Sequence, residues 1–197
     1  LIAQSKPHGH SVVILDRDLP FIDVLLSGIK PGTRKVYLDK SLDIITSIDK
    51  IVRENAPIRS LHIMTQGKPG ALISSSRELN ENVLHQHETL LGSWSHYFSD
   101  HGDIVLYGSE IARGTEGLRF VTSLAVMTGL DIAASKDLTG ATLKHGDWLL
   151  EVRSGYIEST LVLSKKIRAE YPVLLSKGAE RKGSGLASSL SALLFRK

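Results

Sequence analysis

Apolar residues in this chain fall into short continuous runs, separated by longer stretches with helical spacing. The runs at 11–16 (SVVILD), 34–39 (RKVYLD), 60–65 (SLHIMT), 103–107 (DIVLY) and 131–135 (DIAAS) read as strands. Continuous apolar runs of this kind suit strands buried on both faces of a parallel sheet. Between them the spacing predicts helices over 20–28, 41–55, 80–98 and 115–127. In the second of these, Leu42, Ile45, Ile48, Ile51 and Val52 share one face, and Ser41 is placed to cap the first turn. Gly92 interrupts the third, and Gly129 closes the fourth. The stretch 71–75 reads as a short extra strand and 147–153 (DWLLEVR) as the last one.

Strands alternating with helices predict an α/β sandwich around a mainly parallel sheet, with right-handed crossovers placing helices on both faces. The alternation occupies residues 11–158. Residues 159–197 read as a basic extension or linker toward a missing region. Within it, 160–175 has room for one helix, ended by Pro172; 177–185 (KGAERKGSG) reads as a flexible linker and 186–195 as a short terminal helix or a segment that orders on contact.

Composition changes this picture little. Of 197 residues, 42% are hydrophobic, enough for a sizeable core. The apolar runs are far shorter than the ~20 residues a membrane span needs. No signal-peptide pattern opens the chain and it lacks an initiator Met, so a processed product or a fragment of a longer protein is expected. There is no cysteine, which removes disulfides, thiolate metal sites and a thiol nucleophile. Charge is uneven: residues 165–197 carry eight basic and two acidic side chains, against 16 and 19 in the preceding 164. Such a tail is read as a solvated segment, and nucleic acid is not the expected partner.

No loop fits the glycine fingerprint of dinucleotide sites or the phosphate-binding P-loop, so no nucleotide cofactor is expected. His85 and His87 lie two apart on a predicted helix and do not share a face. None of the eight histidines has the spacing of a zinc site, so no metal is expected.

The carboxyl ends of the third and fourth long strands are where chemistry belongs in an open α/β sheet. Gln66-Gly67 follows one and Gly108-Ser109 the other, with Glu110 and Arg113 just beyond. The segments LHIMTQGKPGAL (61–72), DIVLYGSEIARGTEGLRFVTSLAVMTG (103–129), IAASKDLTGA (132–141) and GDWLLEV (146–152) occur in a specific order. Together they resemble the caspase-like domain of unknown function found near the N-termini of very long bacterial surface and repeat proteins. That domain is grouped with the caspase-like (clan CD) cysteine peptidases. The resemblance covers residues 11–158. It implies a caspase-like three-layer sandwich, a His base after the third strand and a Cys nucleophile after the fourth.

Both positions depart from the pattern: Gln66 stands where the His belongs and Ser109 where the Cys belongs. An amide does not titrate near neutral pH, and a serine hydroxyl without a base is a very poor nucleophile. His62, four residues before Gln66, would lie about 13 Å away along a strand, too far to assist. The expectation is a non-catalytic pseudo-peptidase module of a large secreted or cell-surface bacterial protein. Its role would be assembly, anchoring or binding of a protein or surface partner. Gly67, Gly108, Glu110 and Arg113 are the other cleft candidates. The competing expectation is a caspase-like peptidase, self-processing or not, with Ser109 as nucleophile.

Overall fold

The computed structural model describes residues 9–177. Six strands form the main sheet: β1 (His10–Leu15), β2 (Arg34–Tyr37), β3 (Ile58–Met64), β7 (Phe98–Tyr107), β8 (Asp131–Ala134) and β9 (Val152–Arg153). Their spatial order is β2-β1-β3-β7-β8-β9. All neighbours are parallel except β8 and β9, which pair antiparallel at one edge. Three short strands, β4 (Gln66–Lys68), β5 (Ala71–Ser74) and β6 (Arg77–Asn80), form a separate antiparallel meander directly after β3. The mixed α/β architecture with helices flanking a mostly parallel sheet is the expected one.

Side-chain alternation along each central strand divides the core into two layers. Val12, Ile14, Leu61, Ile63, Ile104, Leu106, Ile132 and Ala134 point to one layer. There they meet α2 (Ile44–Glu54), α3 (Glu81–Gln86), α4 (Glu88–Gly92) and α5 (Gly114–Thr128), through residues such as Ile45, Leu84, Leu91 and Phe120. Val13, Leu15, Met64, Val105, Tyr107 and Ala133 point to the other layer. It is covered by α1 (Ile22–Gly28), α6 (Lys165–Glu170) and the chain around Trp148, Leu150, Val162 and Leu163.

Several elements differ from the sequence expectation. The helix expected over 80–98 is broken into α3, α4 and a 3₁₀ turn (Trp94–Tyr97), with breaks at His87 and Ser93. Asp43, not Ser41, caps α2, its carboxylate accepting from the Thr46 N–H at 2.9 Å; Ser41 bonds to the Asp39 carboxylate instead. Strand β7 starts five residues early and bulges, because Phe98 pairs with Ile58 while Asp103 pairs with Ser60. The strand expected over 147–153 joins the main sheet only at Val152 and Arg153, while Asp147 makes an isolated bridge to Thr139. In 160–175 only Lys165–Glu170 is helical.

Residues beyond 158, read from sequence as an extension, supply core: Val162, Leu163, Ile167, Tyr171, Val173 and Leu175 are all buried. Buried polar groups stitch this stretch down. The Asp103 carboxylate accepts from the Glu158 and Ser159 N–H groups and the Ser159 hydroxyl at 2.7–3.0 Å. The Tyr107 hydroxyl accepts from Val162 N–H at 3.0 Å, and the Tyr171 hydroxyl donates to the Pro20 carbonyl at 2.8 Å. The expected linker over 177–185 and terminal helix over 186–195 lie, but for Lys177, outside the described residues.

Candidate functional site

The register of β3 against β7 sets Met64 beside Tyr107, so the segments leaving the two strands run side by side. Thr65 N–H donates to the Tyr107 carbonyl at 3.3 Å. One step further, Gly67 meets Gly108-Ser109. A Cβ on Gly67 would lie 2.5 Å from the Ser109 carbonyl oxygen and 2.8 Å from the Gly108 carbonyl carbon. No side chain fits there, which is the physical reason for glycine at 67. The sequence-expected positions 66–67 and 108–109 therefore do come together at the carboxyl edge.

Ser109 is completely buried. Its Oγ accepts from the Thr139 N–H at 3.0 Å and donates to the Thr139 carbonyl at 3.4 Å. The Thr139 hydroxyl in turn donates to the Gly108 carbonyl at 3.3 Å. Among the described residues no imidazole bonds to Ser109. Gln66 is half-buried at the start of the meander, paired in register with Ile73, and its carbonyl accepts from the Thr65 hydroxyl. The serine hydroxyl is thus held by one backbone loop rather than poised beside a proton acceptor.

His62 is likewise no base for Ser109. It is buried in β3, with Nδ1 3.1 Å from the Tyr107 hydroxyl and Nε2 3.1 Å from the Ser60 hydroxyl. Burial first, then the nearby positive charges of Lys30 and Arg59, lower its pKa to about 3. It is a neutral imidazole within the fold. It also lines a polar cleft of about 480 Å³ with Ser11, Lys30, Arg59 and Asp103. Ser11, Ser60 and Asp103 place that cleft toward the amino ends of the strands, away from Ser109.

Glu110 and Arg113, the other cleft candidates, engage their own turn. Glu110 adopts a left-handed backbone (φ 63°) and its N–H donates to the Asp137 carbonyl at 2.7 Å. Arg113 pairs with the Glu110 carboxylate.

The sequence reading missed the partners that complete the site. The Leu175 carbonyl accepts two hydrogen bonds, from Gly67 N–H at 2.9 Å and Ser109 N–H at 2.8 Å. This is the kind of paired backbone donor that stabilises an oxyanion in acyl transfer. Here a carbonyl of the chain itself fills it. Thr139, which holds the Ser109 hydroxyl, also accepts from Leu175 N–H at 2.8 Å. Sequence carries only a faint sign of these contacts, the apolar run around 173–175 after Pro172.

A carboxylate cluster also escaped the sequence reading. Asp137, Asp147 and Glu151 bring one oxygen each within 4.8 Å of one another. Each already accepts a local bond: Asp137 from the Ser135 hydroxyl, Asp147 from Leu149 N–H and Glu151 from Lys136 N–H.

Fold and site define the class: an α/β domain with a mostly parallel six-stranded sheet and, at its carboxyl edge, the paired N–H donors of Gly67 and Ser109. Residues 12–175 match the family described as "Domain of unknown function (DUF4347)", and the chain belongs to that family. No curated protein matches the chain. One solved structure, titled "Crystal structure of a small-chain dehydrogenase", is similar over 62% of this chain and 79% of its own, at 11% identity and a TM-score of 0.35. A likeness of that size carries no argument about function. Among the described residues, no helix is long and apolar enough to cross a membrane.

Proposed function

We propose that this domain is a non-catalytic, peptidase-like module of a large secreted or surface protein, acting in assembly, anchoring or partner binding. The caspase-like scaffold and the surface setting come from the sequence resemblance. The observation that carries the inactive reading is the state of Ser109. Its hydroxyl is fully buried and both accepts from and donates to Thr139, while Gln66 stands where the resembled peptidases have their base. Nucleophilic catalysis by serine needs a base within hydrogen-bond reach.

The second reading, a peptidase with Ser109 as nucleophile, draws on one observation, the paired N–H groups of Gly67 and Ser109. Treating the full chain with an acylating serine-directed probe and a broad peptide library separates the two. No labelling and no turnover are expected. Turnover that disappears in Ser109→Ala would overturn the non-catalytic reading.

A further inference from the structure

The segment following Tyr171 does not simply lie on the surface near Ser109; it runs between 139–141 and Gly67 and bridges to both. On one side Leu175 N–H donates to the Thr139 carbonyl at 2.8 Å and Ala141 N–H donates to the Val173 carbonyl at 2.9 Å. On the other side Gly67 N–H and Ser109 N–H donate to the Leu175 carbonyl, and Lys177 N–H donates to the Gly67 carbonyl at 3.3 Å. The segment therefore runs antiparallel to 139–141 and parallel to the chain at Gly67. Backbone hydrogen bonds on both edges, with alternate side chains in pockets, are the mode by which extended peptides are bound by strand addition.

The side chains follow the same logic. Val173 and Leu175 point into the second core layer beside Tyr107 and Trp148, and Leu175 is fully buried. The groove wall has no room for anything bulkier. Gly140 has φ 128°, and a Cβ there would sit 2.3 Å from the Val173 carbonyl oxygen. At the exit, the Lys177 ammonium lies 3.2 Å from the Glu78 carboxylate.

We propose that the carboxyl-edge groove is a binding site for an extended peptide strand, and that residues 173–177 are its resident ligand, bound in cis. The ligand class is a polypeptide in β conformation with apolar side chains at the positions of Val173 and Leu175. Its defining contact is one peptide carbonyl on the Gly67 and Ser109 N–H groups. The proposal rests on the non-catalytic reading only in taking the bound peptide to remain intact. An incoming strand of the same chemistry competes with the resident one, so partner binding at this site is strand exchange.

Amide hydrogen exchange on the full chain tests this, because a ligand-like segment opens as a local unit while core strands open globally. The amides of Gly67, Ser109, Ala141 and Leu175 are expected to exchange as one group, at least tenfold faster than those of Val13 and Ile63. In Leu175→Ala, Gly67, Ser109 and Ala141 accelerate by a further tenfold or more while Val13 and Ile63 hold. Adding a synthetic peptide of residues 171–177 (YPVLLSK) to that variant slows Gly67 and Ser109 again and leaves the chain's own amide at position 175 fast. A scrambled peptide does neither. If the group exchanges only together with Val13 and Ile63, in the unmodified chain or the variant, the segment is core rather than ligand and the proposal falls. It falls equally if the peptide leaves Gly67 and Ser109 unprotected. Mass spectrometry of the recovered peptide keeps the two readings apart: a shortened peptide overturns the non-catalytic function and leaves strand binding standing.

Discussion

The two faces of the sheet are covered by different means. The first is packed by helices that arise as crossovers between strands of the main sheet, with apolar residues from Ile45 and Ile48 to Phe120 and Leu124. The second is covered largely by the late part of the chain. It mixes apolar contacts with buried polar anchors: His62, Tyr107, Asp103, Trp148 and Tyr171. Apolar packing is non-directional and tolerant of repacking, whereas each buried polar group must find its own partner. The first face supplies stability; the second fixes where one particular segment lies.

The largest expected effect lies on the first face. Phe120→Ala removes a fully buried ring and should cost about 3–5 kcal/mol in urea unfolding, with the exchange order of the groove amides unchanged. A loss below about 1 kcal/mol would show that this layer does not carry the fold.

Acid breaks the second face. His62 is neutral in the folded state, with its pKa lowered to about 3, while in the unfolded chain it titrates near 6.5. Between these values the unfolded chain holds the extra proton, so stability falls as pH falls below about 6.5. From pH 7 to pH 4.5 the loss from this group is about 2–3 kcal/mol, read from urea midpoints. His62→Gln should flatten that part of the profile; a slope unchanged by the substitution would contradict the assignment.

Tyr107→Phe sharpens the contrast. It strips the hydroxyl that accepts from Val162 N–H and bonds to His62, leaving buried groups unpaired at about 1–3 kcal/mol. Exchange at Val162 should accelerate more than exchange at Val12, which faces the other layer. The smallest effect is at the rim of the first face. Asp43→Ala removes the cap of α2 and should lower stability by about 1 kcal/mol, checked by thermal melting.

What sequence made legible follows from the same contrast. The central strands β1, β3, β7 and β8 were readable because each contains a short apolar run. The joining of 66–67 with 108–109 followed from placing two parallel strand ends at one edge. The breaks at His87 and Ser93 were not readable, since the helical spacing of Leu84, Leu91 and Trp94 runs across both. The closing of the groove was not readable either. Leu175 meets Ser109 through backbone atoms, and backbone donors and acceptors are the same for every non-proline residue. Val173 and Leu175 follow the Pro172 that ends the expected helix, and nothing in their identities marks them as the residues that close the groove.

The strand that closes the groove also has a position in time. Synthesis runs from the amino end, so β3, β7 and the Thr139 loop leave the ribosome before Leu175 does, and domains fold as their chain emerges. During that interval the Gly67 and Ser109 amides have no carbonyl of their own chain to hold. A chain synthesised only as far as Pro172 lacks the carbonyl that these two amides share in the folded domain.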